Sequence, residues 1–160
     1  MLYPAQLYRE ELKQKLVAAW YDPKYKYYFS GSAYECSVPD NNDTRHDFVH
    51  LGKDGKVDGY FSYQIDWRAK SLYNFGLMGF ADDNKRFVLD CVRRVQEMAN
   101  QGIRRAEFWA WSANPVNKFY ERLITKKSFV TGKIAGRLTQ AGYFDGEYQD
   151  SVIYEIFFRR

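Results

Sequence analysis

The pattern of apolar and polar positions between residues 72 and 117 predicts a strand, a helix, a second strand and the start of another helix. Residues 72–80 form a mostly apolar run that is typical of a strand. Over residues 85–101 apolar side chains recur at intervals of four, four and three, which predicts an amphipathic helix whose buried stripe is Phe87, Cys91, Val95 and Met98. Residues 106–111 form the second strand. Because strands joined by a helical crossover normally run parallel, we expect a parallel step here.

The ends of the central helix carry recognisable signals. Asp83 or Asn84 is placed to cap its N-terminus, and Gly102 is placed to end it. The free backbone N–H groups at such an N-terminus bind anions, phosphates above all. Lys85 and Arg86 lie in the first turn, where the helix dipole favours acidic residues, so they fit either a contact with a polyanion or an ordinary solvated turn.

The segment before this unit predicts a helix followed by antiparallel strands. Residues 4–20 have a helical apolar face formed by Tyr8, Leu12, Leu16 and Ala19. The aromatic run 24–29 is either a short helix or a loop, and residues 38–46 are typical of a loop. Strands are predicted over 47–51 and 56–65, around a hairpin turn at Asp54-Gly55. Together with the strand at 72–80, this gives three antiparallel strands.

The C-terminal part predicts one helix and one hairpin. Residues 115–127 form the last helix, with an apolar side consisting of Val116, Phe119, Tyr120, Leu123 and Ile124. Long strands follow over 130–143 and 149–158, and Asp145-Gly146 between them is a second hairpin signal. The chain is therefore expected to be α/β (α+β), with a mixed, mostly antiparallel sheet.

Composition indicates one soluble globular domain over residues 1–160. The chain is 46% hydrophobic and 28% charged, and no apolar run approaches the length of a membrane span. The N-terminus does not resemble a signal peptide, and Cys91 falls on a buried helical stripe, so we expect free cysteines and a cytoplasmic protein. The net charge of +4 is spread out, although the 14 tyrosines could stack on nucleic-acid bases.

Several kinds of reactive site find little support in the sequence. His46 and His50 are four residues apart, but in a loop-to-strand context, which favours an exposed pair over a zinc site. The chain contains no Gly-x-Ser-x-Gly motif, phosphate-binding P-loop motif or dinucleotide fingerprint. Neither cysteine has an evident catalytic partner.

The order of elements, together with particular residues along it, resembles the GCN5-related N-acetyltransferase (GNAT) family. The resemblance covers nearly the whole chain and is clearest over residues 48–158. It includes Gly-Tyr-Phe-Ser-Tyr at 59–63, the strand at 72–80, the helix at 87–100 and Ala-Asn-Pro-Val-Asn-Lys-Phe-Tyr-Glu at 113–121. The tail is the most specific part, with Tyr-Phe-Asp-Gly-Glu-Tyr-Gln-Asp at 143–150 and Val-Ile-Tyr-Glu-Ile at 152–156.

The resemblance implies a GNAT-type fold, with helices on both faces of the sheet, and transfer of an acetyl group from acetyl-CoA to an amine. In the family the cofactor lies where the fourth and fifth strands separate. The pantetheine arm would then hydrogen-bond along Leu77, Met78 and Phe80, and a backbone N–H near Met78 would polarise the thioester carbonyl. The pyrophosphate would lie on the first N–H groups of the central helix, those of Asn84, Lys85 and Arg86.

The resemblance also implies residues at the start of the last helix. Asn114 or Asn117 would face the pantetheine arm, and Tyr120 would protonate the leaving thiolate. Tyr120 has an alternative interpretation as a core residue, because it lies on an apolar helical face. The general base is left open among Glu107, Asp66, Glu35 and a chain of water molecules. Residues 20–29 are expected to form part of the acceptor wall.

Two departures from the family pattern keep other functions open. The loop Ala-Asp-Asp-Asn-Lys-Arg at 81–86 lacks the family's glycines, and six residues rather than seven separate Asn114 from Tyr120. The alternatives are a non-catalytic descendant that acts as an interaction or ligand-binding module, and a nucleic-acid-binding protein, which the dispersed charge disfavours. The expected partner is a small-molecule or peptide amine and not a membrane, and a homodimer is left open.

Overall fold

The chain forms one seven-stranded sheet. The computed structural model describes residues 1–29, 36–82, 84–125 and 130–158. In space the strands are ordered β1-β2-β3-β4-β5-β7-β6. Their bounds are Leu2–Pro4 (β1), Arg45–Leu51 (β2), Val57–Asp66 (β3), Ser71–Gly79 (β4), Arg105–Trp111 (β5), Val130–Phe144 (β6) and Glu147–Phe158 (β7).

Helices cover both faces of this sheet. The α-helices in the described ranges are Arg9–Tyr21 (α1), Lys85–Asn100 (α2) and Asn117–Thr125 (α3), and 3-10 segments lie at Ala5–Tyr8 and Pro23–Tyr28. The core on the face of α1 includes Leu12 and Leu16, and the core on the face of α2 and α3 includes Phe87 and Tyr120. No helix in the described part of the chain is both long enough and apolar enough to cross a membrane.

The predicted parallel step is confirmed. Strands β4 and β5 pair in parallel, with Ser71 opposite Arg105 and Leu72 opposite Ala106, and every other strand pair is antiparallel. Helix α2 makes the crossover between them. The prediction of a mixed, mostly antiparallel sheet with helices on both faces is therefore confirmed.

Helix α2 forms where its apolar period predicts, and it ends at a glycine. Phe87, Cys91 and Met98 are buried, and Val95 packs against them. At the C-terminus the N–H of Gly102 donates to Ala99, and the N–H of Ile103 donates to Met98. This is the Schellman arrangement, which requires the left-handed backbone that Gly102 adopts, with φ 104°.

The hairpin between β6 and β7 is also explained by its turn residues. Asp145 has φ 48° and Gly146 has φ 87°, the two positive values of a type I′ turn. That turn twists in the same sense as the strands it joins, so the prediction at this Asp-Gly pair is confirmed. The second pair lies between β2 and β3, where Gly55 has φ 77°.

The N-terminal helix begins later than the sequence predicts. Leu2–Pro4 is a strand that pairs with β2, and the α-helix begins only at Arg9, after a 3-10 segment. Pairing with a distant strand overrides the local helical pattern there. The predicted apolar face is confirmed in the helix itself, where Leu12, Leu16 and Ala19 are buried.

Candidate active site

Strands β4 and β5 enclose a cleft because they separate soon after they meet. They pair at only two positions, Leu72 with Ala106 being the last. In β4 a bulge interrupts the pairing with β3, and Asn74 there has φ 51°. Bulges bend a strand and increase its twist, and this one lies where β4 turns away from β5. The resulting cavity has a volume of about 390 Å³, within the range of small-molecule sites.

The cleft passes through the sheet. Its lining includes Tyr60 and Ser62, which lie on the face of α1. It also includes Phe108 and Tyr120, which belong to the core beneath α2 and α3. Side chains from both faces of the sheet therefore line one cavity.

The aromatic segment Pro23–Tyr28 connects the far ends of the two strands. The Tyr25 hydroxyl donates to the Gly79 carbonyl at the end of β4, at 3.1 Å. At the end of β5, Trp111 donates to the Phe29 carbonyl at 3.0 Å, and the Asn114 amide donates to the Tyr27 carbonyl at 2.7 Å. Tyr27, Tyr28 and Phe29 line the cleft, so the structure places the aromatic run on its wall.

The alternation of β4 decides which backbone groups face the cleft. The Phe80 N–H donates to the Asp58 carbonyl of β3 at 2.8 Å, so it is not available to a ligand. In an antiparallel pair successive residues point alternately toward and away from the partner strand. Met78 therefore also bonds toward β3, and Leu77 and Gly79 present their N–H groups to the cleft. The N–H groups of Met78 and Phe80 are therefore engaged within the sheet, and cofactor binding along Leu77, Met78 and Phe80 stays a prediction.

The N-terminus of α2 lies against the end of β4. A Cβ atom on Gly79 would come within 2.3 Å of the Asn84 amide nitrogen, so this glycine allows the close approach. Asn84 takes the N-cap position without a side-chain capping bond, and its buried amide oxygen has no partner among the described residues. Asn84 therefore occupies the predicted cap position, but its side chain does not cap the helix. The other predicted cap, Asp83, lies outside the described residues.

Lys85 and Arg86 are exposed in the first turn of α2, where backbone N–H groups lack helical acceptors. The nearby Asp82 is exposed and pairs with Lys24 at 3.3 Å, and this hydrogen bond raises the pKa of Lys24. The pair offsets part of the negative charge in this glycine-free loop. Phosphate binding by Asn84, Lys85 and Arg86 stays a prediction.

Tyr120 lies on the wall of the cleft, with its ring in the core. The ring centroid is 4.5 Å from that of Phe108 and 5.3 Å from that of Tyr154. Burial is the main reason that the Tyr120 pKa is raised well above that of a free phenol, and Tyr28 and Tyr154 add to the effect. The Tyr120 hydroxyl donates no hydrogen bond to another described residue. The ring therefore packs in the core, while the hydroxyl remains able to donate to a molecule in the cleft.

The two asparagines at the start of α3 have structural partners. Besides its bond to Tyr27, Asn114 accepts from the Val116 N–H at 3.0 Å, and it lines the cleft. The Asn117 amide donates to the carbonyls of Trp111 and Ser112, and its oxygen accepts from the Tyr154 hydroxyl at 2.9 Å. These contacts favour structural roles, most clearly for Asn117, which does not line the cleft. Pantetheine binding by Asn114 or Asn117 stays a prediction.

One polar cluster on the cleft was not predicted from the residue pattern. Asp47 is fully buried, and Arg45 donates to it through Nε at 2.8 Å and through Nη2 at 3.4 Å. The Tyr60 hydroxyl donates to the same carboxylate at 2.5 Å, and Arg45 and Tyr60 both line the cleft. The sequence pattern predicts a loop over residues 38–46, whereas strand β2 begins at Arg45.

The described candidates for the general base lie away from the cleft lining. Glu107 pairs with Arg105, and Asp66 accepts from the Ala69 N–H in a turn at 2.9 Å. Neither lines the cavity. The third candidate, Glu35, lies outside the described residues.

His50 is not the exposed residue that the sequence indicated. It is only 5% exposed, and its Nδ1 lies 2.5 Å from Asp58 while its Nε2 lies 3.4 Å from Asp90. The strand turns His50 toward α2, which buries it. Within the described ranges, no group of three or more His, Cys, Asp or Glu side chains is placed to hold a metal ion.

Comparison with known proteins identifies the fold. No family model matches the chain, and no curated protein matches it. The aminoglycoside 6'-N-acetyltransferase from Enterococcus faecium matches with a TM-score of 0.69 at 14% identity, covering 100% of this chain and 98% of that one. A probable GNAT-family acetyltransferase from Chromobacterium violaceum matches with a TM-score of 0.67 at 16% identity, covering 96% and 85%.

A putative phosphinothricin N-acetyltransferase matches with a TM-score of 0.63 at 16% identity, covering 100% of this chain and 99% of that one. The agreement covers 96–100% of this chain in these three structures. At these identities the likeness concerns architecture. The chain therefore has the fold of the GNAT acetyltransferases.

Proposed function

We propose that this protein is an N-acetyltransferase that uses acetyl-CoA and acts on the amine of a small molecule or peptide. The observation that carries the proposal is the cleft between β4 and β5, which crosses the sheet and has Tyr120 on its wall. The similar structures named above are described as acetyltransferases, two of them as N-acetyltransferases. The buried free thiol of Cys91 fits the expected cytoplasmic setting.

The donor side is the β4 edge of the cleft together with the start of α2. When bound, acetyl-CoA would supply an activated acetyl thioester for attack by the acceptor amine. The N–H groups of Leu77 and Gly79 would bind polar groups along the pantetheine arm and polarise the thioester carbonyl. The first turn of α2, with Asn84, Lys85 and Arg86, would hold the pyrophosphate.

Tyr120 would supply the proton that the leaving thiolate needs. Transfer forms the amide C–N bond and breaks the thioester C–S bond, so a proton must reach sulfur and another must leave nitrogen. The hydroxyl is protonated at neutral pH, because a phenol has an ordinary pKa of about 10 and burial raises the Tyr120 pKa further. The raised pKa makes Tyr120 a weaker acid, so its role as donor rests on its position on the cleft wall, where it would deliver the proton as the C–S bond breaks.

The proton from the amine has to leave by another route. No Asp, Glu or His occurs among the described residues that line the cleft. The lining does include the polar side chains Ser62, Gln64 and Asn74, on the face of α1. These groups would bind water that carries the proton outward, which corresponds to the water chain considered from the sequence.

Calorimetry with acetyl-CoA and with CoA tests the donor side directly. We expect a dissociation constant in the micromolar range, equivalent to about 8 kcal/mol. Asp82→Asn removes an exposed negative charge beside the phosphate site and should tighten binding by about threefold to tenfold at low salt. The absence of heat at millimolar acetyl-CoA would refute the proposal.

One observation favours a second candidate, a non-catalytic protein with this fold. The loop at 81–86 has no glycine, and glycines normally let a backbone approach phosphate closely. Such a protein would keep the cleft and bind a different ligand or partner there. Calorimetry would then show no heat of binding for acetyl-CoA. Salt-sensitive binding to single-stranded DNA would instead indicate that the protein binds nucleic acid.

A further inference from the structure

The acceptor side of the cleft contains one charged side chain among its described lining residues, Arg45. Its guanidinium is fixed in place by Asp47, which is buried beneath it with 0% exposure. The Nε edge and one Nη2 hydrogen face Asp47, and Tyr60 supplies a further hydrogen bond to the same carboxylate. The Asp47 carboxylate therefore accepts hydrogen bonds from both Arg45 and Tyr60.

The guanidinium retains binding capacity on its outer edge. Arginine has five N–H donors in a planar fork, and the bonds to Asp47 use two of them. The described side-chain partners of Arg45 are Asp47 and Tyr60, which are themselves joined by a hydrogen bond, and 37% of the Arg45 side chain is exposed. A second carboxylate could accept a bidentate pair from the outer edge, a geometry that arginine favours over lysine.

We propose that the acceptor is an amino-acid-type molecule, an amine that also bears a carboxylate, and that Arg45 binds this carboxylate. The proposal rests on the proposed function, because it names the class of amine that enters from the α1 face. Asp47 and Tyr60 are positioning residues that orient the guanidinium. The carboxylate lies at this polar end, and the amine points toward the gap between β4 and β5.

The rest of the lining favours an apolar or aromatic side chain on the acceptor. Tyr27, Tyr28 and Trp109 line the cleft, and Trp109 is 43% exposed. Their rings would pack against an aromatic group. A polyamine fits less well, because the described lining offers no carboxylate to pair with several ammonium groups and Arg45 would repel them.

Acceptors that share a ring and an amine but differ at the carboxylate test this inference. Acetyl transfer is measured with L-tyrosine, with L-tyrosinamide and with tyramine. Spermidine is measured as well, as a polyamine acceptor. We expect kcat/KM for L-tyrosine to exceed that for tyramine and tyrosinamide by about tenfold to a hundredfold, the effect of a charged hydrogen-bond pair. Equal values for tyrosine and tyramine, or a preference for spermidine, would overturn the inference while leaving an acetyltransferase.

Variants of Arg45 locate the effect. Arg45→Gln keeps a donor for Asp47 but loses the charge and the fork, so the ratio of kcat/KM for tyrosine to kcat/KM for tyramine should fall to about one. Arg45→Lys restores the charge and should recover part of the preference. The matched control is Arg9→Gln, which removes an arginine that pairs with Asp40 and does not line the cleft. An equal loss for both acceptors in Arg45→Gln would contradict the assignment.

A binding measurement without acetyl-CoA separates this inference from the proposed function. N-acetyl-L-tyrosine should bind the wild type about tenfold or more tightly than N-acetyltyramine, and Arg45→Gln should remove the difference. If that difference appears and acetyl-CoA gives no heat, the carboxylate subsite stands and the acetyltransferase proposal fails. If acetyl-CoA binds, and N-acetyl-L-tyrosine and N-acetyltyramine bind equally tightly, the carboxylate subsite is refuted and the acetyltransferase proposal stands.

Discussion

Replacing Tyr120 by phenylalanine removes one oxygen atom from the wall of the cleft and leaves the ring in place. The ring contacts with Phe108 and Tyr154 are preserved, and the lost hydroxyl donates no hydrogen bond to another described residue. We therefore expect the free energy of unfolding to change by less than about 0.5 kcal/mol. Since the proton donor is lost, turnover should fall by about two to four orders of magnitude, or roughly 3–5 kcal/mol in the activation barrier.

Tyr154→Phe is the matched control. Its hydroxyl donates to the buried Asn117 oxygen at 2.9 Å, and Tyr154 does not line the cleft. Removing it leaves a buried acceptor without its donor, which costs about 1–3 kcal/mol and lowers the melting temperature by about 2–4 °C per kcal/mol. Turnover by the folded fraction should stay near that of the wild type. The two variants are therefore expected to separate catalysis from stability.

The assay is initial-rate release of CoA thiol at saturating acetyl-CoA, with melting temperatures measured on the same samples. The pH dependence adds a further check. Because burial raises the Tyr120 pKa above the ordinary value of about 10, the wild type should show no alkaline loss of rate from this group below about pH 9. Equal turnover in wild type and Tyr120→Phe would remove this hydroxyl from the mechanism, and the proton would then come from solvent.

Two further predictions concern stability. Gly59→Ala would place a Cβ atom 2.6 Å from the Phe87 ring and should lower the free energy of unfolding by about 1–3 kcal/mol in urea titrations, whereas Gly136→Ala, whose Cβ would meet only Ile153 at 3.9 Å, should be nearly neutral. Burial raises the pKa of Tyr60 in the folded state, so its contribution to stability is complete below the unfolded value of about 10 and is lost as the pH rises above it. The urea midpoint should thus stay level up to about pH 9.5 and fall as the pH rises above about 10, and a midpoint that stays constant above pH 10 would contradict this reasoning.

The fold could be predicted from the sequence because its main signals are local. The period of Phe87, Cys91 and Met98 depends only on the helix itself, and the Asp145-Gly146 turn depends only on the conformations that two residues tolerate. The crossover rule then fixes the parallel step. The misplaced start of the first helix shows the limit, because Leu2–Pro4 becomes a strand through pairing with residues more than forty positions away.

The site was less predictable because it depends on register and on separation between strands. A run of apolar residues indicates that 72–80 is a strand, but only the pairing with Asp58 shows that Phe80 bonds away from the cleft. The bulge at Asn74, which lies where β4 turns away from β5, leaves no signature in the residue pattern. Arg45 acquires its place only through strands β2 and β3, which turn its side chain toward the aromatic wall.

Residues 23–29 have a consequence for how specificity could change in this protein. They hold the end of β4 through Tyr25 and the end of β5 through the carbonyls of Tyr27 and Phe29, and the rings of Tyr27, Tyr28 and Phe29 also line the cleft. One short stretch thus sets both the shape of the acceptor pocket and the spacing of the strands that would hold the donor. If both ligands bind as proposed, this shared segment would couple their affinities, and by thermodynamic reciprocity each ligand would alter the binding of the other by the same factor. A substitution that admits a new amine would then also alter the affinity for acetyl-CoA, so donor affinity and acceptor choice would have to evolve together.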